Sequence, residues 1–291
     1  MGGVAFVFPG QGSQRPGMGR ALYETSAAAR AVFDMAEDIR PGTIAQCFDG
    51  GMDELTLTDN AQPCLYCADL AYAAAIGESG TTPDALAGFS LGELAALAFS
   101  GAVSYSDGFK LVCARGELMR AAADSRAAAM VAILRLGDGD VAKLCGEFDD
   151  VYAVNFNCPG QVVVAGGEAS LEAFKARVKD SGGRAMPLAT GGGFHSPFMA
   201  GASEAFKDVL RTYSISEPSV PVYANATALP YAADASDTLA RQIQSPVLWH
   251  RTVENMLQAG IVTFIEAGPG KTLSGLISRI SQRARAIKYF D

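Results

Sequence analysis

Apolar positions along this chain fall into runs whose spacing switches between strand-like and helix-like. Residues 4–8 are a short apolar run ended by Pro9-Gly10, which predicts a first strand. Alanine-rich stretches at 21–38 and 61–76 predict helices, 84–87 a short strand, and 91–100 and 106–123 two more helices. Between 130 and 188 the order is strand (130–136), helix (138–147), strands 151–156 and 161–166, helix (170–181), strand (184–188). That β-α-β-β-α-β order is the ferredoxin-like split unit. A helix at 203–213, strands at 220–224 and 261–266 and a helix at 272–283 complete the pattern. Strands alternating with helices at both ends predict a parallel sheet covered on two faces. The expected organisation is a large α/β domain of residues 1–127 and 192–291, interrupted by a ferredoxin-like small domain at 128–191, with a cleft between them.

The chemistry begins where a predicted strand meets a predicted helix, at Ala87-Gly88-Phe89-Ser90-Leu91-Gly92-Glu93. Serine with glycine two residues to either side fits a nucleophile elbow, whose tight turn needs small neighbours. The hydroxyl would project at a helix N-terminus, where free N–H groups favour developing negative charge. The same residues also fit an ordinary strand-turn-helix junction. A serine nucleophile needs a base, and the chain has only two histidines. His195 follows Gly191-Gly192-Gly193 at the return to the large domain. His250 follows Trp249 at the start of an amphipathic helix, where capping or packing suits it better.

Arg115 has Leu111, Val112, Leu118 and Met119 at helical neighbour positions, which places a guanidinium on an apolar face. A buried guanidinium needs an anion. An internal carboxylate and a substrate carboxylate both meet that need. The turn Pro9-Gly10-Gln11-Gly12 lacks the lysine and spacing of a phosphate-binding loop.

Composition narrows the field. Length 291 suits one large domain or one and a half, and 49% apolar with 19% charged residues is an ordinary soluble balance. The N-terminal run reads as a strand and not a signal peptide, and no apolar run nears membrane-spanning length, so a cytoplasmic protein with no membrane partner is expected. The net charge of −8 argues against nonspecific nucleic-acid binding. Cys64-x-x-Cys67 has no second pair or nearby histidine to complete a zinc set, so packing is its expected role.

Eight segments in order then resemble the malonyl-CoA:acyl carrier protein transacylases. They are Phe8-Pro9-Gly10-Gln11-Gly12-Ser13-Gln14, the elbow through Glu93, Arg115-Gly116, Asn155-Phe156-Asn157 with Pro159-Gly160-Gln161, Phe194-His195-Ser196-Pro197, Pro221-Val222-Tyr223, Gln242 with Pro246-Val247 and Trp249, and Glu266-Ala267-Gly268-Pro269-Gly270-Lys271. The resemblance implies a hydrolase-like parallel-sheet core and malonyl transfer from malonyl-CoA to the pantetheine thiol of acyl carrier protein, supplying fatty acid synthesis. It implies Ser90 as nucleophile, His195 as base, and the Gln242 backbone carbonyl as the orienting third member. Gln11 and Leu91 N–H groups would form the oxyanion hole, Arg115 would pair with the malonyl carboxylate, and Phe194 and Asn157 would contact substrate. No metal or cofactor is implied beyond malonyl-CoA as substrate, and a monomer is expected. Phe89 departs from the histidine most members carry before the serine, which removes a polar contact near the acyl group. Phe194 resembles malonyl-selective members.

Other readings are a serine thioesterase or acyl hydrolase on the same elbow, a carrier-protein binding module without catalysis, and a free-standing polyketide-pathway acyltransferase. Arg115 argues against the first and an intact Ser90/His195 pair against the second. For the carrier protein, which is acidic, a local basic surface must offset the chain's own negative charge. Lys271, Arg279 and Arg283 supply one, with Arg279 and Arg283 expected on one face of the last helix.

Overall fold

The computed structural model describes residues 2–189, 191–232 and 235–288. Strand β1 (Gly3–Phe8) leads into five helices, α1 (Arg20–Thr25), α2 (Ala27–Ile39), α3 (Thr43–Asp49), α4 (Met52–Leu55) and α5 (Thr58–Glu78). Then come β2 (Ala85–Gly88), α6 (Gly92–Phe99) and α7 (Tyr105–Asp124). The expected single helix over 21–38 is two. Ser26 ends α1 in extended geometry and caps α2 by accepting from the Ala29 N–H, at 3.0 Å.

The next segment holds β3 (Ala128–Leu134), α8 (Asp138–Cys145), β4 (Val151–Cys158), β5 (Gln161–Gly167), α9 (Glu168–Asp180) and β6 (Arg184–Pro187). Its antiparallel sheet runs β4-β5-β3-β6, the strand order of the split unit read from the sequence. Apolar residues from both of its helices and its sheet, among them Val141, Leu144, Leu171, Phe174 and Val178, form a separate buried cluster.

A short turn at Pro197–Met199 precedes α10 (Ala200–Leu210), β7 (Val222–Tyr223), α11 (Ser236–Gln242), α12 (Trp249–Gln258), β8 (Ile261–Glu266), α13 (Thr272–Ile280) and β9 (Arg285–Lys288). The second sheet is parallel throughout, in the order β7-β2-β1-β8-β9. Apolar clusters cover both of its faces, one under α2, α5, α6 and α7, the other under α12 and α13.

The last helix is shorter than its sequence pattern. Ser281 is extended, at φ −153° and ψ 132°, and the chain turns to lay β9 beside β8. Arg283 therefore lies beyond the helix and does not share a helical face with Arg279. At its other end α13 is capped by the buried carboxylate of Glu266, which accepts from the N–H groups of Leu273 at 3.0 Å and Ser274 at 2.8 Å.

Two contacts tie the β3–β6 segment to the chain between α11 and α12 and to α12 itself. The chain after α11 pairs with β4, with Phe156 N–H donating to Val247 O at 2.9 Å and Val247 N–H to Val154 O at 2.8 Å. His250 does more than cap or pack. Its Nδ1 lies 2.9 Å from Asp138 on α8, and its Nε2 lies 3.4 Å from Glu254.

Candidate active site

Three parallel strands end in residues that carry chemistry: β1 before Gln11, β2 before Ser90 and β7 before Asn225. The carboxyl ends of such strands open onto a crevice that helices cannot close. At the elbow, Ser90 has φ +53°, a left-handed conformation that costs a serine about 1–3 kcal/mol and must be held from outside. A Cβ on Gly88 would lie 1.9 Å from the Gly92 carbonyl carbon, and one on Gly92 would lie 2.1 Å from Phe8 O. Only glycine permits strand, turn and helix to close this tightly.

Side chains from the far half of the chain hold that turn. Asn225 Oδ1 accepts from Ser90 N–H at 2.7 Å and its Nδ2 donates to Gly88 O at 2.6 Å. Gln242 Nε2 donates to Ser90 O at 2.7 Å. Beneath them Glu93, wholly buried, accepts from Asn225 N–H at 2.9 Å, from Gln242 Nε2 at 3.2 Å and from the Tyr231 hydroxyl. Burial raises the Glu93 carboxyl to about 7 even though these donors, and the nearby Arg115 charge, favour its ionised form.

His195 is 4% exposed and also left-handed, at φ +60°. Its Nδ1 sits 3.0 Å from Gln242 O, and its Nε2 sits 2.7 Å from Ser90 Oγ. A carbonyl can only accept, so Nδ1 carries the proton and the Nε2 lone pair faces the serine hydroxyl. Burial, reinforced by the Arg115 charge, pushes the imidazole down to about 4. It is therefore neutral at pH 7, the state a base requires.

Arg115 is 1% exposed. No carboxylate pairs with it among the described residues. Its Nη1 donates to Gln62 Oε1 at 2.7 Å and its Nη2 to Gln242 Oε1 at 2.8 Å, with Ser90 Oγ 3.3 Å from Nη2. Burial lowers the guanidinium to about 10, so it remains a cation at neutral pH. A cation held by two neutral amides keeps its charge available to an incoming anion.

Ser90, His195, Arg115 and Gln62 line one cavity of about 140 Å³ with Gln11, Phe89, Leu91, Met119, Met130, Asn155, Leu188 and Phe194. The N–H groups of Gln11 and Leu91 donate to no acceptor among the described residues. Asn157 stands apart from this cavity. It lines an adjoining space of about 190 Å³, with Gln161, Thr272 and Leu276. Its neighbour Asn155 borders both spaces, because the β4 register shifts at 153–155 and again at 156–158. Phe89 also borders both, its ring 5.7 Å from that of Trp249. The pair Cys64 and Cys67 is buried and unbridged, as packing requires.

Sequence reasoning missed Gln62, Asn225 and Tyr231. Gln62 left a usable signal, a polar residue within an apolar helical run. Asn225 left another, its place just past a predicted strand of the parallel sheet.

An elbow serine on a parallel sheet, paired with a carbonyl-oriented histidine, defines the class of nucleophile-elbow acyl-transfer enzymes. The acyl transferase domain family matches residues 5–288. The malonyl CoA-acyl carrier protein transacylase of Bacillus subtilis (strain 168) is 40% identical over 300 residues, covering 100% of this chain and 94% of that protein. The crystal structure of malonyl CoA-acyl carrier protein transacylase from Clostridium perfringens superimposes with a TM-score of 0.96 at 32% identity, over 99% of this chain and 93% of the other. A malonyl-transacylase solved in complex with its type II polyketide acyl-carrier protein gives 0.95 at 34% identity, over 99% and 96%. The chain belongs to the malonyl CoA-acyl carrier protein transacylases of the acyl transferase family.

Proposed function

We propose that this enzyme moves a malonyl group from malonyl-CoA to the pantetheine thiol of acyl carrier protein by way of a Ser90 ester, supplying fatty acid synthesis. The observation that carries the reading is a cation, Arg115, with no carboxylate partner among the described residues, 3.3 Å from the hydroxyl of a serine whose base stands 2.7 Å away. His195 Nε2 takes the Ser90 proton as Oγ attacks the thioester carbonyl. The oxyanion that forms is met by the Gln11 and Leu91 N–H groups. The C–S bond breaks and the imidazolium returns its proton to the departing coenzyme A sulfur. In the second half, His195 takes the proton of the carrier's thiol, the sulfur attacks the ester, and the proton goes back to Ser90. Arg115 holds the malonyl carboxylate throughout. The Ser90–His195 chemistry calls on no metal or cofactor. A cytoplasmic setting fits six cysteines that are all free thiols. Among the described residues no helix is long and apolar enough to cross a membrane.

The carrier protein would dock where α13 meets the small domain. Arg279 shares a groove of about 640 Å³ with Arg135 and Arg184, and Gln161 and Leu188 join that groove to the inner spaces. None of these three arginines has an ion-pair partner among the described residues, and no acidic residue lines the groove. Lys271 precedes α13 and Arg283 follows it, and neither lines the groove.

Arg115→Ala tests the functional reading. Losing one partner of a desolvated charge pair costs about 2–5 kcal/mol, or roughly tens to thousands of fold. Malonyl transfer should fall by that much and acetyl transfer by far less, because acetyl has no carboxylate to lose. Parallel loss on the two donors would make Arg115 a structural cation and remove the observation that carries the reading.

A further inference from the structure

Gln242 reaches the site twice. Its main-chain oxygen orients His195, while its carboxamide, from the last residue of α11, enters the space between the elbow and Arg115. Nε2 faces Ser90 O at 2.7 Å and Glu93 Oε2 at 3.2 Å, and Oε1 faces Arg115 Nη2 at 2.8 Å. A carbonyl and a carboxylate accept while a guanidinium only donates, so the surroundings fix which end of the amide is which. The residue is 1% exposed, and both ends of its amide are partnered.

We infer that the Gln242 side chain is a positioning residue for acyl selectivity: it ties the guanidinium of Arg115 to the main chain of the nucleophile. The inference rests on the reading of Arg115 as partner of the acyl carboxylate. In a malonyl thioester the carboxylate and the reacting carbonyl are separated by a single carbon, so cation and nucleophile must keep a matching separation. Arginine is long and rotamer-rich, and nothing in its own helix fixes its head. Gln62 holds one terminal nitrogen from α5, and Gln242 holds the other from the segment that also carries the His195 acceptor. The choice of a neutral amide matters as much as its position. A carboxylate there would neutralise Arg115 and compete with the substrate. Glu93 is the acid of this network, and its bonds go to Tyr231, Asn225 and Gln242 instead of to Arg115. Gln242 thus stands between the buried acid and the cation it would otherwise quench.

Gln242→Met tests this, because it removes every hydrogen bond of the side chain and keeps the main-chain carbonyl that His195 needs. Acylation rates with malonyl-CoA and acetyl-CoA would be measured on the full chain, alongside labelling of Ser90 by a small fluorophosphonate, which reads the nucleophile without a carboxylate. A misplacement of about 1 Å can cost on the order of a hundredfold. Malonyl kcat/KM should fall on that scale, while acetyl transfer and fluorophosphonate labelling fall at least tenfold less. Gln242→Glu provides a second arm that preserves size: its carboxylate would hold Arg115 too well, and the malonyl-to-acetyl ratio should again drop by about tenfold or more. An equal loss on the two donors in whichever of these variants folds would reduce the side chain to packing and overturn the inference. Arg115→Ala separates the two levels of argument. If it costs selectivity and the Gln242 variants do not, only the tether fails; if it costs none, the carboxylate reading fails first.

Discussion

A base at His195, the role proposed for it, faces two opposed demands, burial enough to exclude water and basicity enough to take a proton. The structure meets them with a single carbonyl acceptor, Gln242 O, in the place where many serine enzymes put a carboxylate. A neutral acceptor leaves the imidazole value low, at about 4, with burial as the first cause and the Arg115 cation as the second. The base is the neutral form, so kcat/KM for acylation should stay level from pH 7 to about 5 and fall tenfold per unit once pH drops below about 4. Removing the Arg115 charge, as in Arg115→Met, should move that acid limb upward. An acid limb near 6.5, or one unmoved by the substitution, would contradict the assignment. Stability is a poorer monitor. A His195 value below its unfolded one makes the fold lose stability as pH falls from about 6.5 toward 4, whereas the raised Glu93 value makes it lose stability as pH rises from about 4.5 toward 7. The two offset one another, and activity does not share the ambiguity.

Among elements, the sequence showed most clearly those with long or regular patterns. The split unit at 130–188 is readable because its strands are runs of apolar residues and its helices carry a periodic stripe. The elbow is readable because glycine on either side of a serine has a steric cause. Helices α3, α4 and α11 left little trace, being 7, 4 and 7 residues long, too short for a period near 3.6 to repeat. Strand β9 escaped for a related reason: its four residues, Arg285–Lys288, pair on one side only, so no alternation is demanded. The missed α11 matters most, since it delivers Gln242. The sequence offered Gln242 as a backbone carbonyl through family resemblance, and nothing in the local pattern could announce that its amide meets Ser90, Glu93 and Arg115. Those partners lie 152, 149 and 127 positions away. Polar networks of this kind have no period; they exist only once the strands are ordered.

At the scale of the molecule, charge is unevenly spent. The chain carries −8 overall, yet the groove beside the cleft presents Arg135, Arg184 and Arg279 together. Complementary local patches steer association even where net charges repel, and their effect fades with salt. Reversing Arg184 and Arg279 to Glu should slow malonyl transfer to the carrier protein and flatten its salt dependence, while acylation by malonyl-CoA suffers much less. Transfer at the wild-type rate with unchanged salt dependence would place docking elsewhere. The sequence offered Arg279 for this surface; Arg135 and Arg184 join it only because the antiparallel sheet and the end of α13 line one groove.

The central claim is that Ser90 accepts the acyl group as an ester and passes it on. The direct measurement is intact mass and peptide mapping after brief mixing with malonyl-CoA, before and after addition of carrier protein bearing its pantetheine thiol. One malonyl unit per chain, located on Ser90, absent from Ser90→Ala and moved to the carrier within the turnover time, is the predicted result. A malonyl unit on another residue, or full turnover by Ser90→Ala, would contradict it.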